Sequence, residues 1–198
     1  MKFLLINASP HNEGTSKLML KEAAKVFEDG KQEVKILDMG NDARYPCTAC
    51  GACKRDGKCR FGDLDEIILE MRSAGGIIFA TPTHYANACG SLISALSRIC
   101  FSAKDALENK PAAAFASARR AGSIGSIEEI GRFFAFSSAI TVNGIYPPHL
   151  YGGERDIEGL AYARSVAENM LWIAKCIEAA KKNGVLPPRK INAVRVNI

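Results

Sequence analysis

The sequence predicts a single α/β domain, five strands of a doubly wound parallel sheet with helices on both faces. Short apolar runs alternate with longer segments of helical period, and no segment repeats another. One run, residues 76–80 (GIIFA), is apolar along its whole length, as a central strand buried on both faces must be.

The elements follow in order. Residues 2–6 form an apolar first strand closed by Asn7, and residues 14–28 a helix with Leu18, Ala23 or Ala24, and Phe27 at helical spacing. Residues 33–37 read as the second strand. Residues 63–72 form a helix with Ile67, Ile68 and Met71 on one face. The third strand, 76–80, is stopped by Thr81 and Pro82, and a helix covers 90–107. Residues 112–116 are the fourth strand, 124–136 a helix and 139–142 the fifth strand. A long helix over 155–182 carries Leu160, Ala163, Ala167, Met170, Ile173 and Ile177 along one stripe. The domain is expected to span 1–183. Residues 184–198 form a tail with strand-like alternation after Gly184 and Pro187–Pro188.

The length of 198 residues fits one domain able to bury a core without disulfides or metals. A metal site would therefore serve function rather than rescue folding. The first apolar run is too short for a secretory core, and no run reaches the ~18 residues of a membrane helix. The cytoplasm is the expected compartment, with no membrane partner. The net charge of +5 is matched by five basic residues near the end (Lys181, Lys182, Arg189, Lys190, Arg195). No aromatic residue is interleaved with them, so a solvated tail is expected rather than a nucleic-acid surface.

In open parallel sheets, ligands bind beyond the C-terminal strand ends, where strand order reverses. Three loops there have ligand-binding composition. The first holds Ser9, Pro10, His11, Gly14, Thr15 and Ser16 just before a helix. Hydroxyls and free N–H groups at the positive end of a helix suit a phosphate, although Thr15 or Ser16 can equally serve as a plain helix cap. Neither the dinucleotide G-x-G-x-x-G nor the G-x-x-x-x-G-K-[ST] loop occurs. The second loop, Pro82, Thr83, His84, Tyr85, Ala86 and Asn87, offers a shelf for a flat heteroaromatic ring. Its alternative reading packs Tyr85 into the core and leaves His84 in water. The third loop contains Ser117, Arg119, Arg120 and Gly122, small donor-rich residues with two cations. Either arginine can equally be a solvated surface residue.

Of seven cysteines, four are clustered as C-x2-C-x2-C-x5-C: Cys47, Cys50, Cys53 and Cys59, within residues 44–62. Clustered cysteines in a reducing compartment bind metal or react more often than they form disulfides. All four can ligate one [4Fe–4S] cube. Zinc is the main competitor, although structural zinc usually uses two well-separated C-x2-C pairs. Redox thiols are a third reading.

With these residues in view, the sequence resembles the NADPH-dependent FMN reductase superfamily, and specifically its iron–sulfur flavoprotein branch, over roughly residues 2–153. The first loop is similar to the family's G-S-P-R-x-x-G-N-T, with Ala8 and His11 replacing Gly and Arg. The shelf is similar to P-V-Y-x-x-x-x-x-G-x-L-K-x-x-x-D-R. Gly90, Leu92 and Arg98 are in place, His84 stands at the Tyr position, and Ile93 and Ser97 replace Lys and Asp. The four cysteines with Asp63 match the branch's cysteine segment, and Ser117 to Gly122 its flavin loop.

The resemblance implies a flavodoxin-like fold, FMN at the three loops, and a homodimer or homotetramer with flavins near subunit contacts. Arg119 or Arg120 would favour the anionic form of a reduced flavin. The function it implies is electron transfer between FMN and a [4Fe–4S] cluster, with a ferredoxin-like protein or NAD(P)H as redox partner. Two alternatives stay open: an NAD(P)H-dependent flavin or quinone reductase without a cluster, and a non-enzymatic zinc-stabilised interaction module. Because the flavin carries the chemistry, no residue is assigned as a catalytic acid or base.

Overall fold

The computed structural model describes residues 1–188. The alternation expected in the last ten residues lies outside the described residues. The strands are β1 (Lys2–Asn7), β2 (Glu33–Asp38), β3 (Gly76–His84), β4 (Asn87–Ala88), β5 (Pro111–Ala118), β6 (Ile140–Thr141) and β7 (His149–Tyr151). The helices are α1 (Thr15–Asp29), α2 (Ala52–Asp56), α3 (Asp65–Ser73), α4 (Gly90–Ser102), α5 (Ser123–Phe136) and α6 (Ile157–Lys182).

The sheet order is β2-β1-β3-β5-β6, and these neighbours pair in parallel. Order reverses between β1 and β3, whose C-terminal ends open a crevice. Both faces of β1 are buried, and its side chains alternate between two cores. Leu4 and Ile6 join Phe79, Leu96 and Phe134 under α3, α4 and α5. Phe3 and Leu5 join Phe27, Phe115 and Met170 under α1 and α6. Phe3 stacks on Phe27 with ring centroids 4.0 Å apart.

Three expectations change. The fifth strand is split: β6 pairs with the start of β5 at Pro111 and Ala112, and β7 with its end at Ala116 to Ala118. The two are separated by residues 142–148, and β7 is too short to have stood out in the sequence. The third strand continues past Ala80 to His84, because Thr83 and His84 find antiparallel partners in Ala88 and Asn87. The expected second loop is thus a hairpin. The helix expected over 90–107 stops at Ser102 and is followed by a 3₁₀ turn, Lys104–Ala106. Among the described residues, no helix is long and apolar enough to cross a membrane.

Candidate functional site

At the crevice, Ser9, Pro10, His11, Gly14, Thr15, Ser16, Pro82 and Ser117 line one open cleft of about 640 Å³ with Asn12 and Glu13. The loop after β1 and the C-terminal parts of β3 and β5 therefore meet at this cleft. The N-cap of α1 is Gly14, and no side chain caps the helix. This removes the plain-cap reading of Thr15 and Ser16 and leaves the helix end open to an anion. Ser16 is buried, and its Oγ shares a 2.8 Å hydrogen bond with Ser117 Oγ. This hydroxyl, expected to be a phosphate donor, also ties the first loop to β5.

The loop is held from below. Asn7 Nδ2 donates to Asp38 Oδ1 at 2.8 Å, Asn7 Oδ1 accepts from Ser9 N at 3.1 Å, and Ser9 Oγ accepts from His11 N at 3.1 Å. Lys17 Nζ donates to Asp38 Oδ2 at 2.7 Å. Burial pushes the Asp38 carboxyl up, but the Lys17 and Asn7 hydrogen bonds outweigh it and hold it below the usual range. Asn7, Lys17 and Asp38 were not among the sequence candidates. The available signal was a polar residue closing each of two adjacent strands.

The shelf residues Thr83, His84, Tyr85, Ala86 and Asn87 lie on the β3–β4 hairpin, outside the lining of that cleft. Its two turn residues, Tyr85 (φ 50) and Ala86 (φ 64), adopt left-handed conformations without glycine. Strain of this kind persists only where surrounding contacts enforce it. Cys89 N donates to Thr81 Oγ1, Ala88 N to Glu129 Oε2, and Ser126 Oγ to Thr83 Oγ1. Tyr85 is fully exposed at 101%, which overturns the core-packing alternative. The third loop abuts the hairpin at Gly122 (φ +91), where a Cβ would stand 2.6 Å from Ala86 Cα. Arg119 and Arg120 are exposed on the turn beyond β5 and do not line the cleft.

The four cysteines form a second site. Cys47, Cys50, Cys53 and Cys59 line one cavity of about 110 Å³ with Phe61, Arg98 and Phe101 among its other walls. Left-handed Ala49 and Gly51 turn the chain between the first two cysteines and α2. Cys47 N donates to Ser97 Oγ, so the replacement at the family's Asp position anchors the cysteine loop to α4. The backbone N–H of Ala52, ahead of smaller contributions that include Thr48 and Arg60, holds the Cys50 thiol below its ordinary value. All four cysteines are free thiols. Among the described residues, no three Cys, His, Asp or Glu side chains are arranged around a single metal ion. Four thiols lining one cavity are a donor set that an iron–sulfur cluster or zinc can use.

The two sites share no lining residue. From Gly90, just past the hairpin, to Arg98 in the cysteine cavity is about 12 Å along α4.

The sequence profile of the NADPH-dependent FMN reductase family matches residues 1–148. The chain belongs to the NADPH-dependent FMN reductase family. As a member of that family it is an FMN-dependent oxidoreductase with a flavodoxin-like fold. An iron–sulfur flavoprotein of Methanocaldococcus jannaschii is 30% identical over 196 residues, covering 90% of this chain and 100% of the relative. An iron–sulfur flavoprotein of Methanosarcina thermophila is 28% identical over 193 residues, covering 92% and 98%. In fold, a flavone reductase superposes with TM-score 0.70 at 19% identity, covering 91% of this chain and 65% of that longer one. An archaeal flavodoxin superposes with TM-score 0.62 at 13% identity, covering 88% and 99%.

Proposed function

We propose that this FMN reductase family member transfers electrons between FMN bound at the sheet crevice and a [4Fe–4S] cluster held by Cys47, Cys50, Cys53 and Cys59. The observation that carries the reading is the convergence of all four cysteines on one cavity, in a chain that also presents an uncapped helix end at the switch point. The two relatives named iron–sulfur flavoproteins, matched over most of their length, support it.

When bound, FMN supplies two-electron and one-electron chemistry, and the cluster takes single electrons. The chain's own residues do the rest. Ser9, Thr15 and the first-turn N–H groups of α1 would hold the phosphate, with His11 and Gly14 lining the same cleft. Pro82, the hairpin residues Thr83 to Asn87, and Ser117 with the loop to Gly122 would hold the flavin ring. Arg119 and Arg120, on the turn beyond β5, add positive charge near that rim. Cys47, Cys50, Cys53 and Cys59 supply thiolates, and the Ala52 N–H favours that state at Cys50.

Anaerobic purification followed by metal and flavin analysis tests the proposal. The expected result is FMN, with iron and acid-labile sulfide in equal amounts, and broad visible absorption bleached by dithionite. Flavin without iron would favour an NAD(P)H-dependent reductase lacking a cluster. Zinc without yellow colour would overturn the redox reading altogether.

A further inference from the structure

Behind the cysteine cavity two arginine side chains, largely withdrawn from water, meet one partly exposed carboxylate. Arg98 is 2% exposed, and its two terminal nitrogens donate to Asp63 Oδ1 at 2.6 Å and Oδ2 at 2.7 Å. Arg44 shares the same carboxylate, donating to Asp63 Oδ2 at 2.9 Å, and also donates to Met39 O at 2.9 Å. Two guanidinium groups thus face one carboxylate. The Nε atoms of both arginines are buried without a partner. At Arg98, where almost no water reaches, an uncompensated share of positive charge is costly unless an anion stands nearby.

The cysteine cavity is where that anion would lie. Arg98 lines it, and Arg98 Nη1 is 3.9 Å from Cys59 Sγ. The guanidinium carbon lies 5.0 Å from the Phe61 ring centroid, a cation–π contact on the cavity wall. The rest of the segment has the same sign: residues 44–62 hold five basic residues and one acid.

We infer that Arg98 sets the reduction potential of a cluster in this cavity, and that Asp63 is the positioning residue that aims and partly neutralises it. The inference rests on the proposed [4Fe–4S] site. A cube with four thiolates is anionic in both redox states and gains one further negative charge on reduction. A fixed cation beside one ligand sulfur therefore stabilises the reduced form more and raises the potential. The couple is a one-electron uptake by the cluster from a solution reductant, and no bond or proton changes at Arg98.

The two partners must act in opposite directions, which a packing role does not require. Redox titration of the anaerobic holoprotein with dithionite and mediators, followed by low-temperature EPR of the reduced cluster, reads the effect. At the potential where the unsubstituted cluster is half reduced, Arg98→Gln should raise the oxidised-to-reduced ratio at least tenfold, a downward shift of 59 mV for one electron. Asp63→Asn should lower the ratio several-fold by freeing the guanidinium from its counter-charge. Arg98→Lys, which keeps the charge, should stay within threefold. Clusters whose ratios do not move, or move the same way in Arg98→Gln and Asp63→Asn, overturn the inference. If Arg98→Gln assembles no cluster, the absence of an upward shift in Asp63→Asn overturns it. An unsubstituted protein without iron and sulfide overturns the proposed function instead.

Discussion

Gly122→Ala tests whether the β3–β4 hairpin is pinned to the β5–α5 loop. Gly122 has φ +91, a conformation that costs a residue with a Cβ about 1–2 kcal/mol. The added Cβ would stand 2.6 Å from Ala86 Cα, 2.8 Å from Ala86 Cβ and 3.2 Å from Thr83 Cγ2. The nearest of these is backbone, so no rotamer change relieves the overlap, and overpacking of this kind costs about 1–3 kcal/mol. Together the two effects reach about 2–5 kcal/mol, a large part of the 5–15 kcal/mol that typically holds a domain together. Gly40→Ala separates them. Gly40 has φ +73 but nothing within 4 Å of its Cβ position, so only the conformational cost of about 1–2 kcal/mol applies. Urea unfolding of both variants should show the Gly122 variant weaker by about 1–3 kcal/mol than the Gly40 variant. FMN fluorescence titration should show weakened binding only in the former. Equal losses of stability in the two variants would refute the pinned-hairpin argument.

Three further outcomes follow from the site. Ser117→Ala leaves the Ser16 hydroxyl buried without its partner and should destabilise the fold by about 1–3 kcal/mol. The Ser16→Ala/Ser117→Ala double variant, measured by urea unfolding, should lose less than the sum of the single losses, and strict additivity would contradict the pair. Asn7→Ala releases both Ser9 N and Asp38, so FMN should bind about fivefold to tenfold more weakly in a fluorescence titration, and an unchanged affinity would count against the support role. The third concerns pH. The Arg98 guanidinium holds the Asp63 carboxyl below its usual range. A carboxylate depressed in the folded state contributes stability that is fully present above its unfolded value of about 3.9 and is lost as pH falls through the folded value. The stability gap between apo-protein and its Asp63→Asn variant should therefore be widest near neutrality and narrow below pH of about 4. A gap that stays constant into acid would show that the pairing contributes nothing through ionisation.

What could be read from the sequence alone was local. Periods of two and of about 3.6 residues report which side chains leave water, so β1, α1, β3 and α6 stood out without knowledge of their neighbours. The cysteine spacing and the hydroxyl-rich loop before α1 are likewise contained within one short stretch each, and each group lines a single cavity. Only the tertiary structure decided whatever depends on chains brought together from afar. The splitting of the fifth strand depends on which end of β5 each fragment meets. The extension of β3 into a strained hairpin depends on Glu129 and Ser126 of α5, which bind Ala88 N and Thr83 Oγ1. The Asn7–Asp38 support joins residues 31 apart, and Arg98 meets Asp63 across 35. The reason is physical. Burial periodicity is set within a few residues by backbone geometry, whereas a buried charge or amide is tolerated only where a distant partner satisfies it.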